Sequence, residues 1–257
     1  MGGMDRRTFL GAGAAAAAAA LAGCSTAVGA VAPPDVPEEQ LSEGGWERTD
    51  QSQETVFERE MLGTTVEAKS HTLVYEDAEL RQRLNEKTLG NVQSTVTVIS
   101  VSHVDVSGDV DGLPGIQGEI LSRTEAAARE QFRARMEDEG LENVERTGTG
   151  ELSIDTGESA RHTTYAADFP VDSFSVPVGD SETLTVEGGT LGVRGDLAVW
   201  HHDDYVLIAG GVHPAENFTR QIEKDLTSAI TVDVDIDLGL TPEQYREEVR
   251  GILTAVE

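Results

Sequence analysis

The alternation of apolar and polar positions divides this chain into short elements before any motif is needed. Strands are expected where β-branched and aromatic residues alternate with polar ones, at about 53–60, 65–75, 93–106, 145–154, 160–169, 183–187, 191–201, 205–212 and 231–236. The clearest hairpin has Leu197-Ala198-Val199-Trp200 and Tyr205-Val206-Leu207-Ile208 on either side of His201-His202-Asp203-Asp204, two apolar runs closed by a polar turn. Four other stretches repeat apolar residues at three- and four-residue spacing, the period of a helix packed along one side. These are Asp77 to Leu89 with Leu80 and Leu84, Ser122 to Glu139, Pro214 to Ile230 with Phe218, Ile222, Leu226 and Ile230, and Thr241 to Val256 with Tyr245, Val249, Ile252 and Val256. Ser122 with Glu125 and Thr241 with Gln244 have capping-box spacing, and Pro242 suits a first helical position. Gly90 and Gly140 sit where two of the helices should stop.

Successive hairpins with helices between and after them predict an α+β domain: a mainly antiparallel sheet with about four helices packed on it, covering one face. This element order resembles that of the PsbP and Mog1-like sandwiches, a resemblance that implies partner binding more than catalysis. The domain is expected over 46–257, a length that can bury a good core. Residues 24–45 contain Pro33-Pro34 and Pro37 without apolar periodicity and predict a flexible tether.

Residues 1–23 read as an export signal. Arg6 and Arg7 precede Thr8-Phe9-Leu10 and an alanine-rich tract ending in Leu21-Ala22-Gly23-Cys24. The tract is shorter than the roughly twenty apolar residues a membrane-spanning helix needs. Arg-Arg-Thr-Phe-Leu resembles the twin-arginine motif, and Leu-Ala-Gly-Cys resembles a lipobox. That resemblance implies cleavage before Cys24 and lipid on its thiol, anchoring the protein to the outer face of the cytoplasmic membrane. Cys24 is the single cysteine, so the mature chain is expected to have no disulfide and no free thiol for catalysis or metal binding. Either Met1 or Met4 could start translation.

Charge changes the picture further. The formal net charge is −28, and among 19 basic residues only Lys69, Lys87 and Lys224 are lysines. Such a chain repels itself in dilute buffer and is relieved at about 1 M salt, where the Debye length is about 3 Å. No basic patch offers a site for phosphate, which argues against nucleic acid as a partner. Dense carboxylates with little lysine resemble haloarchaeal proteins. With signal, lipobox, acidic tether and one domain, the whole chain resembles the small haloarchaeal twin-arginine lipoproteins, a group of unknown function.

Candidate chemistry is sparse. His201, His202, Asp203 and His213 make the most metal-like set, since imidazole and carboxylate suit Zn or Ni, yet neighbours on a strand point to opposite faces. Ser107, Asp109, Asp111 and Gly112 resemble part of a calcium loop, but Gly118 stands where a bidentate Glu is required. Asp233, Asp235 and Asp237 alternate with aliphatics, as a hydrated strand surface would. Asn217-Phe218-Thr219 is an N-glycosylation sequon in the first turn of an expected helix. Gly188-Gly189-Thr190-Leu191-Gly192 lacks the Gly-Lys-Ser/Thr of a phosphate loop, and no Gly-x-Ser-x-Gly elbow occurs. No cofactor is expected. The sequence therefore predicts a non-catalytic binding or assembly module acting on a neighbouring membrane or cell-surface protein. The alternative is an extracytoplasmic hydrolase using a His/Asp or metal site.

Overall fold

The computed structural model describes residues 31–61, 64–88, 90, 92, 96–107, 116–178, 182–227 and 230–257. Its elements run α1 (Glu38–Glu43), β1 (Trp46–Met61), β2 (Thr64–Asp77), α2 (Ala78–Lys87), β3 (Val98–Ser107), α3 (Ile116–Asp138), β4 (Glu142–Ser153), β5 (Ser159–Val171), β6 (Phe174–Val178), β7 (Glu182–Val186), β8 (Gly189–His202), β9 (Tyr205–Pro214), β10 (Thr219–Thr227), β11 (Ile230–Asp237) and α4 (Pro242–Thr254). Seven strands form one antiparallel sheet in the order β1-β2-β3-β9-β8-β5-β4, and β6–β7 and β10–β11 are separate hairpins. The α+β class expected from the alternation is the observed one.

Side chains alternate between the two faces of each strand, and here helices pack on both faces rather than one. Leu73, Tyr75, Ile99, Val101, Ala198, Trp200, Leu207 and Ala209 point one way and pack with Val249, Ile252 and Leu253 of α4 and with Val256 just after it. Their neighbours Leu197, Val199, Val193, Val206 and Tyr165 point the other way and pack with Ala128, Phe132 and Met136 of α3. A third cluster joins the two small hairpins to α2 and α4 through Leu80, Leu84, Phe174, Val186, Phe218 and Tyr245. Among the described residues, no helix is long and apolar enough to cross a membrane.

The expected hairpin forms as read. His202 pairs with Tyr205 and Trp200 with Leu207, leaving Asp203-Asp204 as a two-residue loop with Asp203 at φ 49°, a left-handed conformation that Asp tolerates better than most residues. Asp77 caps α2, its Oδ1 accepting from the Leu80 backbone N–H at 2.7 Å. Gly140, at φ 88°, ends α3 while Leu141 N–H donates to Met136 O at 3.0 Å.

Four expectations fail. Residues 214–230 are not a helix: β10 pairs in register with β11, Ile222 opposite Val234 and Arg220 opposite Ile236. A spacing of four residues returns to the same side of a strand as well as of a helix, so the apolar stripe could not distinguish them, and the β-branched run 231–236 supplies a partner strand. Helix α3 begins at Ile116 rather than Ser122. Ser122 is consequently inside the helix, where its Oγ donates to Gly118 O at 2.7 Å, and Glu125 pairs instead with Arg129 and Arg161. At α4 the Thr241 side chain makes no bond to the helix backbone; its Oγ1 donates to Gln244 Oε1 at 3.1 Å.

The fourth failure concerns the start of the domain. Val31 and Leu41 are buried, α1 forms within the expected tether, and His71 Nδ1 lies 2.9 Å from Val31 O. Asp35 and Glu257 exchange two backbone hydrogen bonds, of 2.9 and 3.1 Å. The folded unit therefore extends back to Val31, because the apolar residues scattered among the prolines find places on an already formed surface.

Candidate functional site

Helix α3 lies on the β8–β9 half of its sheet face because two glycines make room for Phe132. A Cβ at Gly210 would stand 2.7 Å from the Phe132 ring, and one at Gly195 would stand 3.0 Å from it. The ring also meets Tyr165 at a centroid distance of 5.4 Å. Seated there, the helix also meets β1, and only part of the face over β1–β3 stays open. The result is a groove with one wall on α3 and its floor on β1, β2, β3 and β9. At one end is a mainly apolar chamber of about 270 Å³ lined by Val74, Val96, Val98, Met136, Phe169 and Val212 among others. It continues into a trough of about 380 Å³ lined by Ser52, Ser70, Thr72, Ser100 and Ser102. Thr72 Oγ1 and Ser102 Oγ are hydrogen-bonded across the strands at 2.7 Å. Asp50 and Glu139 line the chamber, Glu54 and Asp138 the trough, and Arg135 both.

A second concavity lies where α1, α2 and α4 meet, and it is polar. Trp46 Nε1 donates to Glu248 Oε1 at 2.7 Å, and Arg83 donates to the Tyr245 hydroxyl at 2.7 Å. Burial pushes the Glu248 and Asp77 carboxyls above the usual carboxylate range, against the opposing pull of the hydrogen bonds each accepts. Glu248 sits against Gly44, whose missing side chain leaves space for its carboxylate. Asp77 is already committed as the α2 cap. This cleft joins three helices to the first strand through paired groups, as a structural junction does.

The metal-like set is dispersed. His202 Nδ1 contacts Glu158 Oε1 at 2.6 Å, and its ring lies 5.4 Å from Tyr205. His201 is on the α3 side of β8, opposite to His202. Asp203 is in the turn. His213 pairs with Arg194, seven residues from His201 along the strand, or roughly 24 Å at 3.4 Å per residue. No group of three His, Cys, Asp or Glu among the described residues is placed to hold a metal ion. The calcium-like run falls largely outside the described residues, as do Arg6, Arg7 and Cys24. Asn217 precedes β10 in a loop, not a helix; its Nδ2 donates to Asp237 Oδ1 at 2.7 Å while its Oδ1 accepts from Leu240 N–H at 2.9 Å.

The alternation of residues did not reveal which imidazole the structure brings to a carboxylate. His162 Nε2 lies 2.7 Å from Asp196 Oδ1, and the buried His213 Nε2 lies 3.5 Å from Asp196 Oδ2. Although burial acts in the opposite direction, the two imidazoles hold Asp196 well below the usual carboxylate range. The three residues are on β5, β8 and β9, so only the strand register could have assembled them.

The profile of one protein family, described as a domain of unknown function (DUF6517), matches residues 33–257. The chain belongs to this family. Its match begins two residues after Val31, at Pro33, beside the buried Pro34. In DUF6517 as represented here, the family segment thus includes α1 and every strand of the sheet. No curated protein and no solved structure matches the chain.

Proposed function

We propose that this protein is a non-catalytic binding module, held at the outer face of the cytoplasmic membrane by lipid on Cys24, with the groove beside α3 as its binding site. The observation that carries the reading is the groove itself: a concave site with an apolar end and a hydroxyl-lined continuation, the combination that binds small molecules. The haloarchaeal lipoprotein resemblance of the signal and the acidic composition supply the location. The likeness of the element order to partner-binding sandwiches favours binding over catalysis. Burial of Val31 leaves few residues after Cys24 before the folded unit, and seven residues span at most about 25 Å. On this reading the domain is kept within reach of the membrane surface and acts on molecules or partners available there.

Two variants test the proposal. Cys24→Ser should move the protein from the membrane fraction to the soluble fraction; retention in membranes would refute the lipid anchor. Val98→Trp places an indole in the chamber. Native mass spectrometry of protein gently released from its own membranes should show a bound adduct in the wild type that V98W lacks. An adduct retained unchanged by a folded V98W would rule out the groove as the site.

A further inference from the structure

We infer that the groove is selective for small cationic amphiphiles, with an ammonium or similar cation held between two rows of carboxylates and the apolar body in the chamber. The inference rests on the groove being the binding site and goes further in naming the ligand class. Asp50 and Glu54 come from β1, and Asp138 and Glu139 come from α3, so carboxylates stand on both walls. None of the four has a basic side chain within ion-pair distance among the described residues, whereas Glu76, at the chamber's rim, is already paired with Arg81 at 2.8 Å. Arg135 is the one basic residue lining either part. The four carboxylates are exposed, so salt screens them, yet a net excess of negative charge faces whatever enters between them. An anionic head would meet four carboxylates against one guanidinium. A neutral one would leave them unanswered.

The chamber adds a requirement that charge alone does not. Val74, Val98, Val212, Met136 and Phe169 offer no hydrogen bond to a ligand, so a bare cation would gain nothing there, whereas an alkyl or aromatic body displaces water from apolar surface. The hydroxyls of Ser52, Ser100 and the Thr72–Ser102 pair line the same trough as Glu54 and Asp138 and can bond polar groups near the cation.

The test uses the full chain carrying Cys24→Ser and isothermal titration with three amphiphiles sharing an octyl tail, each below its micelle threshold: octyltrimethylammonium, octyl glucoside and octyl sulfate. The ammonium compound should bind at least tenfold more tightly than the sulfate, with the glucoside between, and ethyltrimethylammonium should bind at least tenfold more weakly than its octyl counterpart. Asp50→Asn combined with Glu139→Gln should reduce the ammonium-over-sulfate ratio several-fold. Asp233→Asn combined with Asp235→Asn, on the remote β11 strand, should leave it unchanged. Sulfate binding as well as ammonium would overturn the cation preference and leave the groove as a site. An equal loss of preference in the β11 double variant would assign it to overall charge and overturn the inference. Failure of all three octyl compounds to bind would refute the groove as an amphiphile site, and with it both the ligand class and the placement of function there.

Discussion

The same strands present two different surfaces. On the α4 side, β2 and β3 offer Leu73, Tyr75, Ile99 and Val101, and the helix seals them. On the α3 side, in the alternate positions, they offer Ser70, Thr72, Ser100 and Ser102, and the helix stops short. A strand buried on both faces would read as a continuous apolar run. Beneath the trough these strands are apolar on one face and hydroxylated on the other, while Ala68, Val74, Val98 and Val104 keep the α3 side apolar toward its ends. The covered face carries stability, and the open face is free to be shaped for binding.

The comparison is broken most directly by removing weight from the sealed side. Trp200 is 1% exposed and lies at its centre; Trp200→Ala should cost about 3–5 kcal/mol in urea unfolding. Ser100→Val, on the open side, should change stability by no more than about 0.5 kcal/mol. Similar losses at the two positions would mean that the two faces do not differ in packing. The next test distinguishes how each helix is seated. Alanine at Gly211 would enter contact distance of Val249 on α4, while alanine at Gly210 would enter that of Phe132 on α3. Each should cost about 1–3 kcal/mol. Trimming the facing residue should relieve each cost selectively, Val249→Ala for the first and Phe132→Leu for the second. Relief by the wrong partner would show that the helices are not independently seated.

The smallest effect depends on pH. Asp196, on the α4 side, is held below the usual carboxylate range, so its charged form is favoured in the folded state. Its contribution is present above its unfolded pKa, near 4, and is lost as pH falls through the lower folded value, because below that both states are protonated. Asp196→Asn should therefore lower stability at pH 6 and leave the difference from wild type shrinking as acid is added. A difference independent of pH would assign the residue a packing role only.

Much of the fold was legible because alternation is a local property. The hairpin at Asp203-Asp204, the caps at Asp77 and Gly140 and the α4 stripe all follow from residues close in sequence. The segment 214–230 was misread because Phe218 and Ile222 satisfy both periods, and only pairing with β11 decides between them. The tether was misread because Val31 and Leu41 are isolated apolar residues whose burial depends on a surface made elsewhere. The site was the least legible part. Ser100 and Ser102 were visible as polar alternates, but the groove exists because α3 is seated on Gly195 and Gly210, which are distant from each other and from the helix in sequence. The His162–Asp196–His213 cluster was hidden for the same reason.

The paired backbone bonds between Asp35 and Glu257 have a mechanical consequence. A pull on the chain before Val31 reaches the end of the polypeptide almost at once, through the Asp35–Glu257 bridge, instead of loading the sheet strand by strand. The bridge works as a strain relief at the point where the cable enters the plug. A tag or fusion placed after Glu257 would share that strain point, and would be held beside Asp35.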